Sequence, residues 1–242
     1  MAMTSLLTHP HWPAPIQVRR SARARRMSLK VDPANHGATL TLPERVPNHV
    51  AMAFIADHLG WLQARIAALP TPIPFAPGTE IPLLGLPHRL QSAPGARRGV
   101  WIEDGIIQVS GPAEFFARRT EDFLKAEAKR RILSCAEPMA ARLGAAFKTV
   151  RIGDPKSRWG SCNSRGTMAF SWRLVLAPER VLTYVVTHEL SHLKEMNHSP
   201  RFWAWVRSLN PDYETSRRWL KANGGSLYRY GLSSVAPQTL GE

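Results

Sequence analysis

The chain has 242 residues, 44% hydrophobic and 21% charged, ordinary proportions for a globular protein with a real core. No apolar stretch approaches the ~18 to 20 residues of a membrane span, and Cys135 and Cys162 are too few for a disulfide framework, so no membrane partner and a cytoplasmic location are expected. The 32 Lys plus Arg against 18 Asp plus Glu give a net charge of +14, a basic surface compatible with nucleic acid or nucleotide partners as much as with solubility alone.

Residues 1–15 carry three prolines, two histidines and no periodicity, and read as a flexible leader without the apolar run of a secretory signal. Residues 16–111 read as a strand-rich region with one long helix. Within it, residues 16–20 and 27–31 have strand character and suggest a basic hairpin carrying Arg19, Arg20, Arg23, Arg25 and Arg26, with another strand at 38–42 after a Pro/Asn/Gly turn. From Pro47, the residues Val50, Phe54, Ile55, Leu59, Leu62, Ile66 and Leu69 recur at three- and four-residue steps, marking a helix that ends near Pro70. Short strands are expected at 81–84 and 88–91, and Asp104-Gly105 between strands at 100–102 and 106–109 is a two-residue hairpin signal. No internal repeat is evident.

A boundary is expected near residue 112, with a helix-rich domain over 112–230 and a flexible tail over 231–242. The whole is α+β, a strand-rich N-terminal half followed by a helix-rich C-terminal half. A helical stretch from 115 to 132 meets Pro138, which should break or restart it. Residues 147–152 read as a strand, 154–166 as a polar loop and 167–176 as another strand. Pro178 opens a helix expected to run to about Met196. Two further helices carry Phe202, Trp203 and Val206, then Tyr213, Trp219 and Leu220, and their aromatic residues read as packing.

The helix that Pro178 opens contains Thr187-His188-Glu189-Leu190-Ser191-His192. Residues four apart share one helix face, so His188 and His192 can present imidazoles to one cation while Glu189, offset by one, reaches a water on the metal without ligating it. Zinc suits such a site because it takes neutral imidazoles and keeps a position open. A third ligand is then needed. His198, six residues after His192, is the first candidate, with Glu195 and Glu214 as rivals; Glu195 can alternatively orient His192. The spacing is that of metzincins, which carry Gly where this chain has Glu195, so the turn is expected at Asn197 in a left-handed conformation.

These residues, together with Asn197-His198-Ser199-Pro200-Arg201-Phe202-Trp203, resemble the signature of the YgjP-like metallopeptidase family. The likeness extends to Lys156-Ser157-Arg158-Trp159-Gly160-Ser161-Cys162, to Trp172-Arg173-Leu174 with Ala177-Pro178, and upstream to Arg23 through Val31 and Ile81-Pro82-Leu83-Leu84-Gly85. The resemblance implies a zincin-like C-terminal domain built on an active-site helix, with His188, His192 and His198 as zinc ligands, Glu189 as general base and a polypeptide substrate. It also implies kinship with WLM and SprT-like proteases, some of which act on proteins crosslinked to DNA, and a described member of the family is a UTP pyrophosphatase. A DNA-associated protease and a metal-dependent nucleoside triphosphate pyrophosphatase are therefore the alternative functions. In zincins the strand ahead of the helix forms the cleft rim, a role expected here of residues 167–176. Arg158 is a candidate for stabilising an oxyanion or contacting a phosphate. Trp159 and Arg173 complete the substrate-binding candidates, with Trp159-Gly160 also readable as a tight turn. Cys162 reads as a small buried hydrophobe.

Overall fold

The computed structural model describes residues 4–9, 12–32, 37–68, 71–155 and 157–231. Lys156 and the expected tail beyond Gly231 lie outside them. The chain forms two compact units that divide between Pro72 and Ile73, not near residue 112.

In the first unit, β1 (Thr4–His9), β2 (Trp12–Arg20), β3 (Ser28–Asp32) and β4 (Gly37–Leu42) make a sheet in the order β1-β2-β4-β3. The segment read as a leader is therefore partly sheet: Leu7 pairs with Ile16 and His9 with Trp12, covering an edge that β2 would otherwise leave open. The expected hairpin of the second and third strands does not form. Instead β4 lies between them, parallel to β2 and antiparallel to β3. Its strict alternation explains the central place, since Ala38, Leu40 and Leu42 are buried while Thr39 and Thr41 face the other side. Ile16, Val18, Leu40 and Leu42 pack on Ala51, Ile55 and Leu62. These last belong to α1 (Asn48–Asp57) and α2 (Leu59–Ala67), two helices where one was expected. His58 makes the break. Its ring Nδ1–H donates to the Phe54 carbonyl at 2.8 Å, so its own N–H turns to Ile55 at 3.0 Å.

The second unit begins with β5 (Glu80–Leu83), β6 (Leu86–Ala93), β7 (Val100–Glu103) and β8 (Ile106–Ser110). Their order, β5-β6-β8-β7, and their strand senses repeat those of the first sheet: antiparallel outer pairs around a parallel inner pair. A repeat not evident from the sequence pattern is thus plain in the topology. The Asp104-Gly105 turn is as expected, with φ of 49° and 74° at its two positions.

After a short 3-10 turn at Ala113–Phe115, α3 (Phe116–Leu143) runs unbroken through Pro138. Its first half gives Phe116, Leu124 and Ala128 to a core with Ile81, Leu90, Ile107 and Val109 of the sheet. Its second half gives Ile132, Ala136, Ala140 and Leu143 to a separate core. Burial on both sides of Pro138 outweighs the roughly 3 kcal/mol an internal proline costs. The same helix explains why the chain does not divide at 112: cutting there would split a shared core.

β9 (Thr149–Gly153), β10 (Gly160–Cys162) and β11 (Thr167–Ser171) form the third sheet, ordered β10-β11-β9. The polar loop thus contains a short strand, and the strand expected to reach Leu176 stops at Ser171. There the Ser171 hydroxyl accepts from the Arg173 N–H at 3.3 Å and caps a 3-10 helix, Trp172–Leu176. Then follow α4 (Glu179–Ser191), α5 (Pro200–Leu209), α6 (Tyr213–Asn223) and a closing 3-10 segment, Gly224–Arg229. The fold class is α+β. Among the described residues no helix is long and apolar enough to cross a membrane.

Candidate metal centre and cleft

α4 lies between the two cores of its unit, with Val181 on one side and Val185, Val186 and Leu190 on the other. Two of its hydroxyls are satisfied within the helix. The Thr187 hydroxyl donates to the Thr183 carbonyl and Ser191 to the Thr187 carbonyl, both at 2.8 Å. The helix ends at Ser191, earlier than the expected Met196, and the chain turns at once: Leu193 N–H bonds the Leu190 carbonyl, and Lys194 and Glu195 N–H bond that of Ser191. Asn197 is not left-handed, since the non-glycine residues of positive φ among those described are Leu84 and Asp104. Its side-chain carbonyl instead accepts from the Ser199 N–H at 3.0 Å, and the Ser199 hydroxyl caps α5 by accepting from Phe202 N–H at 3.3 Å.

Held between these two turns, His198 folds back over α4. Its Nε2 lies 3.1 Å from His188 Nε2, and its ring centroid is 5.0 Å from His188 and 4.9 Å from His192. One potential ligand atom from each of His188, His192 and His198 falls within 4.8 Å of the others. Neither Glu195 nor Glu214 joins that group. Glu195 contributes its backbone carbonyl, 3.1 Å from His192 Nδ1, which puts that ring's proton on Nδ1 and leaves Nε2 as a donor to a metal. Beneath all three imidazoles lies the fully buried Phe202 ring, with centroids 4.6 to 4.9 Å away. Sequence reasoning took Phe202 for ordinary core; its place four residues after His198, one turn into the next helix, is the signal for a floor under the cluster.

The electrostatics suit a cation. Burial, then the neighbouring His192, His198 and Arg217, bring His188 down to about 3. Burial also lowers His192. Both rings are therefore neutral at neutral pH, the form that ligates. His188 Nδ1 is buried without a hydrogen-bond partner. Glu189 is 5% exposed, and burial, opposed by the Arg158 charge, pushes its carboxyl up to about 7. A Cβ added at Gly160 would lie 2.6 Å from both Cγ and Oε1 of Glu189, so only glycine lets β10 pass this close to the carboxylate. Gly160 therefore serves a close approach, not a tight turn. Burial and the Glu189 charge raise the Cys162 thiol to about 11, which keeps it protonated.

The cleft rim differs from the expectation. β11 is paired on both sides, by β10 and β9, and has no free edge; the edge strand of that sheet nearest Glu189 is β10. Arg158 is exposed and acts on Glu189 through its charge. Trp159 packs its ring 5.3 Å from that of Tyr228. Arg173 has its guanidinium taken up within the fold. It is 4% exposed, grips Asp154 through Nε and Nη2 at 2.8 and 3.2 Å, and donates from Nη1 to the Leu227 and Tyr230 carbonyls. It fastens the closing segment of the unit.

Two cavities border the cluster. One of about 510 Å³ is bounded by Gly144, Asn163, Gly166, His192, Lys194 and Met196. The other, about 180 Å³, has His188 and Glu189 in its wall.

A family model described as YgjP-like, metallopeptidase domain, matches residues 25–223. No curated protein matches the chain. Among solved structures, the metallopeptidase zymogen abylysin of Pyrococcus abyssi is similar at 24% identity and a TM-score of 0.35, over 38% of this chain and 93% of that one.

Proposed function

The chain belongs to the YgjP-like metallopeptidase family, and on that premise we propose that it hydrolyses peptide bonds of polypeptides using a zinc ion held by His188, His192 and His198, with Glu189 as general base. The observation that carries this reading is the convergence of three imidazole donors within 4.8 Å beside a buried carboxylate. The donor set fits zinc: three imidazole nitrogens, with His188 and His192 kept neutral by burial and His192 oriented by a carbonyl. Bound there, zinc would supply Lewis acidity toward a water and the scissile carbonyl.

The protein's own groups do the remaining work. Glu189 takes a proton from the attacking water on a carboxylate oxygen and returns it to the leaving amine nitrogen. Its burial keeps that carboxyl near neutrality, where it can both accept and donate. β10 offers its free edge to an extended substrate by strand addition. The Arg158 cation stays close enough to favour the ionised base.

Glu189→Gln tests the assignment. It should keep zinc at the wild-type stoichiometry and lose at least about 100-fold in casein hydrolysis. Hydrolysis at the wild-type rate contradicts the assigned base. Release of pyrophosphate from UTP without any peptide cleavage would replace the peptidase reading with a nucleotide one.

A further inference from the structure

We propose that the smaller cavity beside Glu189 is a specificity pocket that accepts one apolar side chain of the substrate, of leucine, methionine or phenylalanine size, from the residue flanking the bond that is cut. The inference rests on the peptidase reading and adds a substrate class to it.

The cavity measures about 180 Å³, room for one such side chain and little more. Its wall away from the catalytic groups is hydrocarbon and aromatic: Trp159, Tyr184, Val185 and Leu220. Three different elements supply those residues, the approach to β10, α4 and α6, so the pocket is a product of tertiary packing. It is also rigid. Tyr184 and Val185 are buried in the core under α4, and Tyr184 stacks on Tyr213. The Trp159 ring is wedged between Tyr228 and the backbone at Gly224, where an added Cβ would stand 3.0 Å from the indole. Trp159 and Leu220 are only partly buried, and each leaves apolar surface for a ligand to cover.

The charges around it select against ionic side chains. An acidic one would be set against the Glu189 carboxylate, and an ammonium group would pair with it and occupy the base. An apolar side chain leaves Glu189 free and gains from leaving water. The same wall that holds His188 and Glu189 holds the pocket, so a side chain seated there belongs to a residue next to the scissile bond. The larger cavity sets Asn163, Arg165 and Lys194 among Ala145, Leu193 and Met196, a mixed lining that imposes no such apolar requirement.

The test is cleavage-site mapping by mass spectrometry on casein and on synthetic peptides differing only at the flanking residue, using zinc-loaded full-length protein. Wild type should cut with Leu, Met or Phe on one constant side of the bond, favouring Leu over Gly there by about tenfold or more in kcat/KM. Leu220→Trp fills the pocket and should shift cutting to Ala and Ser, bringing the Leu-to-Gly ratio near unity at unchanged zinc content. Leu220→Ala enlarges it and should shift cutting toward Phe and Trp. Cuts with no shared flanking class, or folded Leu220 variants with the wild-type preference, overturn the pocket and leave the peptidase standing. Absence of cleavage of any peptide by zinc-loaded wild type overturns both.

Discussion

The two four-stranded sheets have one topology and opposite fates. In each, two antiparallel pairs meet along a parallel seam, and helices follow the last strand. Even the link between the second and third strands carries the same Ala-Arg-Arg, at Ala24-Arg25-Arg26 and at Ala96-Arg97-Arg98. What differs is the helix that follows. After the first sheet it breaks at His58, and its halves bury Ala51, Ile55 and Leu62 on that sheet. After the second it continues through Pro138 to Leu143 and carries the sheet's core into the one beneath the motif helix. The second sheet is further joined to the site's neighbourhood by the Leu84 N–H, which bonds the Val175 carbonyl at 2.7 Å. One scaffold thus packs its helices onto its own sheet, and its twin shares a helix with the core beneath the three-histidine cluster. An uninterrupted helix decides which.

Leu40 and Ile107 occupy matching places, each fully buried on the central strand that pairs in parallel with its sheet's second strand, opposite Val18 and Leu90. Truncating either to alanine should cost about 2–5 kcal/mol in the unit it belongs to. Calorimetry should show Leu40→Ala lowering one transition with zinc binding and kcat unchanged. Ile107→Ala should lower the other, and hydrolysis should fail at the same temperature. If Leu40→Ala removes zinc or activity at a temperature where the second unit remains folded, the separation of roles is wrong.

A smaller effect sharpens the contribution of α3. Glu127, 8% exposed, is raised by burial but held lower overall by Arg130 and Arg131, whose nitrogens lie 2.6 to 2.8 Å from its oxygens. A carboxyl depressed in the folded state stabilises above its unfolded value of 4.5, and that contribution fades as acid protonates it. Glu127→Gln should therefore cost about 1–2 kcal/mol at pH 7 in denaturant titrations. The gap from wild type should close as pH falls below the usual carboxylate range. A gap unchanged at low pH would mean that packing, not charge, is what Glu127 supplies.

Much of this was legible in the residues, and the failures have physical causes. The Asp104-Gly105 hairpin and the helix bearing His188 and His192 depend on short-range rules, so spacing alone finds them. That His198 turns back was expected, but through Asn197 backbone geometry; the chain uses side-chain caps at Asn197 and Ser199 instead. Pairing partners were not legible, because alternation in residues 38–42 marks a strand without saying that it slides between two others. Pro138 misled because an isolated helix would break there and a buried one does not. The strut at Arg173 was not legible, because its acceptors, Asp154 and the carbonyls of Leu227 and Tyr230, are remote in sequence. The reason for Gly160 was hidden, since its need is set not by a turn but by a carboxylate 29 positions on, at Glu189.

The central claim is that three imidazoles hold one ion, and elemental analysis of extensively dialysed protein tests it most directly. Wild type should carry about one zinc per chain, and His198→Ala, folded by circular dichroism, should lose most of it under the same dialysis. Full retention by His198→Ala, or a wild type that takes up no zinc when it is supplied, contradicts the account.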